Sequence, residues 1–158
     1  MLLENVFAMV LALGMQDAEC LAKNAYFEAR NQSDAGMIAV THVVLNRVAS
    51  DQYPDTVCEV VQQGPVSEWH LSQGRTVPLR NRCQFSWYCD GLSDTPKEHE
   101  AWQHAVRVSN QAFELYLMEH DITDGSMWYH AQNVSPVWRH NLNYVMKIDD
   151  HLFYSPLR

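Results

Sequence analysis

The alternation of apolar and polar positions predicts a chain that is mostly helical. Asp17 is a favourable N-cap residue, and apolar side chains recur every three or four positions through residues 18–30, which predicts a first helix. Ser33 or Asp34 then begins a second run that continues to Val48. This run is apolar on most sides, so we expect a helix buried in the core. The buried stripe of the first helix would consist of Ala18, Leu21, Ala22, Ala25 and Ala29.

Two further helices and two strands are predicted along the rest of the chain. The segment "TVCE" at 56–59 is a capping box for a short helix, and "TPKE" at 95–98 would cap a longer one at Thr95. Residues 64–95 show no periodicity, and loops of this length commonly carry function. "SMWYH" and "HLFY" resemble short strands that could pair. The buried face of the longer helix would be Ala101, Ala105, Val108, Ala112 and Leu115.

Length and charge narrow the class of protein. The 158 residues predict a single domain, with residues 1–16 as an N-terminal helical extension. The net charge of −8, without a Lys/Arg cluster, argues against nucleic acid as a partner and against binding to anionic membranes. The apolar N-terminus has Glu4 where a signal peptide needs basic residues, and it is shorter than the ~20 residues that span a bilayer. We therefore expect neither a signal peptide nor stable membrane insertion.

The cysteines and histidines could serve as disulfide bridges, metal ligands or nucleophiles. Four cysteines permit two disulfides in three connectivities, four reduced thiols or, with less support because no CxxC pair occurs, a zinc site. "CQFSWYC" resembles a loop closed on itself, so we predict a Cys83–Cys89 bridge and, with it, Cys20–Cys58. The eight histidines lack the spacing of a ligand pair. No metal and no cofactor are expected.

Glu28 is the acidic residue whose position suggests chemistry. It lies at the edge of the apolar stripe and in the last turn of the first predicted helix. Burial and the negative end of the helix dipole both disfavour the carboxylate, so they raise the pKa toward the range of a general acid. The alternative is an ordinary surface pair between Glu28 and Arg30.

Six segments in order resemble the cell wall hydrolases of the SleB type: "CLAKNAYFEAR", "AVTHVVLNRV", "YPDTVCEVV", "CQFSWYCDG", "WYH" and "HLFY". The resemblance covers about residues 18–154. It implies an α+β fold that is predominantly helical, a lysozyme-like single domain with a small β-sheet or hairpin. It also implies a lytic transglycosylase or muramidase that acts on peptidoglycan glycan strands at the β-1,4 bond between N-acetylmuramic acid and N-acetylglucosamine.

By the same resemblance Glu28 would be the catalytic acid and base, forming a 1,6-anhydro end without a second carboxylate. Asp34, Asp90 and Asp94 are candidates for a second acid, so hydrolysis stays open. One departure is that "EARGE", common in the family, reads "EARNQ" here, with Gln32 in place of a glutamate. The resemblance implies that the substrate-binding residues are Gln84, Phe85, Ser86, Tyr129 and His130.

Two other functions compete with glycan cleavage. One is a peptidoglycan amidase or peptidase with a thiol or metal site, and the other is a non-catalytic peptidoglycan-binding module. In each case the partner would be peptidoglycan, and a monomer is expected. The site of action would be the periplasm or cell wall, with the protein held in the cytoplasm until phage lysis if it is an endolysin.

Overall fold

The computed structural model describes residues 13–158 and shows a helical domain that carries one small sheet. The α+β prediction, with helices in the majority, is confirmed. Short 3-10 helices cover Ser86–Cys89 and Val137–Asn141. The predicted extension over residues 1–16 lies mostly outside the described residues. The α-helices are α1 (Met15–Ala29), α2 (Asp34–Val48), α3 (Val57–Val61), α4 (Glu68–Ser72) and α5 (His99–Leu117), and the strands are β1 (Trp128–Ala131), β2 (Asn143–Ile148) and β3 (His151–Ser155).

Helix α2 is the centre of the core, as its apolar run predicted. Residues 36–47 are all buried, because α1 and α5 pack on it from two sides. Small side chains such as Ala25, Ala29 and Ala105 let the three helices approach closely. Each buried leucine or valine contributes roughly 1.5–3 kcal/mol, so this packing is the main stabilisation of the fold. Within residues 13–158, none of the helices combines the length and apolar character needed to span a membrane.

Two predicted helix starts are wrong, and each is overridden by a tertiary contact. Helix α1 begins at Met15, and the Asp17 carboxylate accepts a hydrogen bond from the backbone N–H of Cys58 (3.0 Å) instead of capping its own helix. Helix α5 begins at His99, not near Thr95, because the N–H of Glu98 is bound to the Tyr26 hydroxyl (3.3 Å). The other predicted caps are present, with the Ser33 side chain at the start of α2 and the Thr56 side chain at the start of α3.

The sheet is antiparallel with strand order β1-β3-β2. The predicted pairing of β1 with β3 is confirmed, and Tyr129 lies opposite Phe153 in the register. Side chains alternate across a strand, so Tyr129 and Phe153 face the helical core while His130 and Tyr154 occupy the other face. The pattern of the sequence did not predict β2, whose pairing with β3 is irregular between Tyr144 and Met146.

Both predicted disulfides are present. Cys20–Cys58 joins α1 to α3, and Cys83–Cys89 closes the segment that contains the 3-10 helix Ser86–Cys89. The backbone of this closed segment is also tied to the loop after α3, because the N–H of Gln84 donates to the carbonyl of Gln63 (2.9 Å). The segment is therefore fixed beside the C-terminal end of α1, where Trp87 stacks on Phe27.

Candidate active site

Glu28 lies where the end of α1 meets the sheet. Its side chain is half-buried, and the Tyr129 hydroxyl of β1 donates a hydrogen bond to its Oε2 over 2.7 Å. Arg30 does not pair with it. The Arg30 guanidinium lies over the Tyr26 ring and 3.6 Å from Glu98, so the alternative of an ordinary Glu28–Arg30 surface pair is wrong.

The surroundings of Glu28 favour the protonated acid. Burial is the largest influence and raises the pKa of Glu28, while the hydrogen bond from Tyr129 and the charge of Arg47 lower it in part. The pKa of Tyr129 is raised well above its ordinary value by burial and by the neighbouring Glu28 carboxyl, so the phenol remains a donor. The result is a carboxyl that holds its proton to higher pH, next to two groups that favour the carboxylate once the proton has left.

Arg47 is a buried cation at the same site, and the sequence reasoning missed it. Arg47 is only 5% exposed, and its Nε donates a hydrogen bond to the carbonyl oxygen of Met127 over 2.8 Å. The guanidinium lies over the rings of Tyr53 and Phe85, at 5.1 and 5.3 Å from their centroids. A charged residue inside the long apolar run of α2 was the signal that could have indicated it.

A pocket of about 260 Å³ opens beside Glu28 and collects most of the predicted site residues. Gln84 and Ser86 present exposed polar side chains to it, while Phe85 is buried and forms part of its wall. The structure thus brings Gln84, Phe85, Ser86 and Tyr129 to Glu28, and their contacts with substrate stay predictions. The full lining is Glu28, Arg47, Gln84, Phe85, Ser86, Trp128, Tyr129 and Trp138.

A second pocket, of about 460 Å³, also borders Glu28. Amide side chains make it markedly more polar than the first pocket. Glu28 borders both pockets, so the two meet at this residue. The lining is Phe27, Glu28, Asn31, Gln32, Ala131, Gln132, Asn133, Asp150 and His151.

His130 does not join this group, contrary to the prediction that it faces the cleft beside Tyr129. Neighbouring residues of a strand point to opposite faces, so His130 lies on the far side of the sheet. Its Nε2 lies 2.9 Å from the Tyr154 hydroxyl and its Nδ1 lies 2.8 Å from the carbonyl oxygen of Ala131. The ring also stacks on Tyr154, and the residue is 7% exposed, which is typical of a structural role.

The Gln32 amide makes contacts that account for the departure from "EARGE". Its Nε2 donates to Oδ2 of Asp150 (3.3 Å), and its Oε1 accepts from the backbone N–H of Asp150 (3.2 Å). Gln132 donates to the other carboxylate oxygen of Asp150 (3.0 Å). A glutamate at position 32 would place a second negative charge against Asp150, so the amide suits this chain.

The proposed second acids are placed apart from Glu28. Asp34 pairs with His104 at 2.8 Å on the surface, and Asp90 lines a different pocket. Neither they nor Asp94 line the two pockets that Glu28 borders; Asp150 is the other acid in the second one. All four cysteines are bridged, so none offers a free thiol nucleophile. In the described part of the chain, no three His, Cys, Asp or Glu side chains are grouped so that they could hold a metal ion.

Comparison with known proteins gives a family and two similar folds. The model of the family described as Cell Wall Hydrolase matches residues 31–154, a segment that includes Arg47 and Tyr129 but begins after Glu28. The catalytic domain of the germination-specific lytic transglycosylase SleB from Bacillus anthracis is 23% identical, with a TM-score of 0.56 over 88% of this chain and 93% of that one. The SleB catalytic domain from Bacillus cereus is 24% identical, with a TM-score of 0.54 over 89% and 91%. No curated protein matches.

Proposed function

The chain belongs to the cell wall hydrolase family, and from this membership we propose that it cleaves peptidoglycan glycan strands as a lytic transglycosylase. The bond cut would be the β-1,4 link between N-acetylmuramic acid and N-acetylglucosamine. The observation that carries the proposal is the half-buried Glu28 carboxyl, whose pKa is raised, at the border of two pockets. The similarity of the fold to the SleB catalytic domains supports it.

The two pockets that meet at Glu28 suit a polysaccharide that passes over this residue. In the first pocket, a sugar ring can contact the rings of Trp128 and Trp138. Its hydroxyls can contact the polar groups of Gln84 and Ser86. In the second pocket, the amide side chains offer both donors and acceptors to hydroxyl and N-acetyl groups. We place the muramic acid unit in the first pocket and the leaving N-acetylglucosamine in the second.

The first step is transfer of the Glu28 proton to the glycosidic oxygen. The bond from C1 of the muramic acid to this oxygen breaks, and its electron pair stays with the departing N-acetylglucosamine. The carboxylate that forms is stabilised by the hydrogen bond from Tyr129 and by the charge of Arg47. The groups that lower the pKa of Glu28 therefore act at the moment when its proton leaves.

The second step returns the proton. The 6-hydroxyl of the same muramic acid attacks C1, and the Glu28 carboxylate accepts the hydroxyl proton, which leaves a 1,6-anhydro end. One carboxyl thus serves both steps, since Asp34, Asp90 and Asp94 line neither pocket that Glu28 borders, and Asp150 of the second pocket is bound by Gln32 and Gln132. Water in place of the 6-hydroxyl would give a reducing end instead. With this substrate, the site of action would be the periplasm or cell wall.

Mass spectrometry of digested sacculi tests the proposal. Wild-type protein should release muropeptides with 1,6-anhydromuramic acid ends, and E28Q should release none. Reducing ends would change the reaction to hydrolysis with the same acid. Intact glycan with freed peptides would refute glycan cleavage in favour of an amidase or peptidase. Binding of sacculi without any released product would indicate a non-catalytic binding module.

A further inference from the structure

Arg47 has hydrogen-bonding capacity that the protein does not use. Its Nη1 is buried and has no hydrogen-bond partner among residues 13–158. Its Nε, in contrast, donates a hydrogen bond to the carbonyl oxygen of Met127. A buried N–H donor without an acceptor is costly, and such groups are usually hydrogen-bonded in folded proteins. The cost is explained if the missing partner is a ligand of the first pocket, which Arg47 lines.

The guanidinium is also held in one position before any ligand arrives. The hydrogen bond to Met127 fixes the Nε edge, and the rings of Tyr53 and Phe85 cover the group. The terminal nitrogens are then the part left for the pocket. A planar fork of N–H donors matches a carboxylate or a carbonyl better than it matches isolated hydroxyls.

We propose that Arg47 binds an oxygen of the lactyl group on C3 of the N-acetylmuramic acid and so selects this sugar for the first pocket. This inference rests on the proposed function. The lactyl group is the substituent that N-acetylglucosamine lacks, so a donor directed at it discriminates between the two sugars of the strand. The acceptor is a carbonyl oxygen where a stem peptide is attached and a carboxylate oxygen where the peptide has been removed.

Binding to E28Q, which leaves the ligand uncut, separates recognition from catalysis. We would measure dissociation constants by titration calorimetry for glycan tetrasaccharides with stem peptides, for the same glycans without peptides, and for chitotetraose. E28Q should bind the first two at least about tenfold more tightly than chitotetraose. E28Q/R47K should lose this preference while it binds chitotetraose nearly as E28Q does. A greater loss of affinity for the peptide-free glycan would identify the lactyl carboxylate as a better acceptor than the lactyl carbonyl.

A matched control and a second measurement guard against misfolding. R107K alters an exposed arginine of α5 outside both pockets, and in E28Q it should leave the preference unchanged. The guanidinium NMR signals of Arg47 in E28Q should shift with muramic acid ligands and much less with chitotetraose, without any substitution at Arg47. An equal loss of affinity for all three ligands in E28Q/R47K, or an unchanged preference for the muramic acid ligands, would overturn the inference. If wild-type protein releases anhydro ends but the binding and NMR results contradict the inference, the proposed function stands without this role of Arg47.

Discussion

The Tyr129 hydroxyl donates to the Glu28 carboxyl over 2.7 Å, which joins β1 to the end of α1 across 101 positions of the chain. This bond opposes burial, since it lowers the pKa of Glu28 while burial raises it more. A carboxyl under two opposed influences can give up a proton and take it back. The relationship is therefore the basis of the first predictions.

Replacing Glu28 with glutamine should abolish glycan cleavage. Gln keeps the size and hydrogen-bonding capacity of the side chain but has no proton to transfer, and a general acid contributes roughly 10²–10⁴-fold to a rate. Loss of turbidity of a sacculus suspension would measure the effect. The control is E98Q, which alters an exposed acid paired with Arg30 and should keep full activity. Equal activity of E28Q and wild type would remove Glu28 from the mechanism.

The same substitution should stabilise the protein at neutral and alkaline pH. Because burial raises the pKa of Glu28 above its ordinary 4.5, the folded protein binds more protons than the unfolded chain between 4.5 and the raised pKa, and above both values the buried carboxylate is destabilising. The contribution of Glu28 to stability is therefore greatest at low pH and declines as pH rises through the raised pKa. Denaturant unfolding of wild type and E28Q at several pH values measures this. A difference between the two that does not change with pH would contradict the raised pKa.

Replacing Tyr129 with phenylalanine should move the alkaline limb of the pH–rate profile to higher pH. The hydrogen bond lowers the pKa of Glu28, so without it the Glu28 carboxyl stays protonated to higher pH. The rate at the optimum should fall about tenfold or more, since a hydrogen bond to a charged group contributes about 1.5–3 kcal/mol. Profiles of kcat/KM would show both effects. Y144F, at an exposed tyrosine of β2, is the control, and a limb that stays in place or moves down would count against this role.

The two disulfides should contribute unequally to stability. In the chain-entropy treatment a bridge stabilises more when it closes a longer loop, so Cys20–Cys58 (separation 38) should contribute about 4 kcal/mol and Cys83–Cys89 (separation 6) about 2 kcal/mol. Unfolding of the C20A/C58A and C83A/C89A variants tests the order. The second variant should also raise KM, because its bridge holds the pocket residues Gln84 and Ser86. The reverse order of stabilities would contradict the prediction.

Gly36 should tolerate no side chain while Asp149 is in place. A Cβ there would collide with Oδ2 of Asp149, which is held by the backbone N–H (2.8 Å) and hydroxyl (2.6 Å) of Ser33. G36A should therefore cost roughly 1–3 kcal/mol. In a D149A background the collision with Asp149 is gone and only a tight contact with the Gln32 Cβ (3.0 Å) remains, so the same change should cost clearly less than in wild type. Unfolding free energies of the four proteins give the coupling, and an equal effect of G36A in both backgrounds would rule out the collision.

The sequence predicted the elements whose side chains follow a clear period. Helix α2 and the β1–β3 pair were found because long apolar runs and aromatic alternation are local signals. The start of α5 was misplaced because the Tyr26–Glu98 bond is a contact between distant segments. Strand β2 was missed because its side chains are mostly exposed or half-buried, and its alternation is interrupted.

The site was predictable only in part, for the same physical reason. Glu28 was singled out by its place at the edge of an apolar stripe, and the resemblance to a family grouped five other residues with it, of which four line the first pocket. Arg47 was missed because a charge at the end of an apolar helix is usually solvated, whereas tertiary packing buries this one. His130 was assigned to the cleft because it follows Tyr129, although the pleat of a strand turns it away.

The position of Glu28 between two pockets bears on where along a polymer the enzyme could act. If a glycan fills both pockets, it continues past this carboxyl in both directions and needs no free terminus to bind. Under the proposed function, cuts would fall at interior bonds from the start. The average strand length would then drop early, long before disaccharide units accumulate.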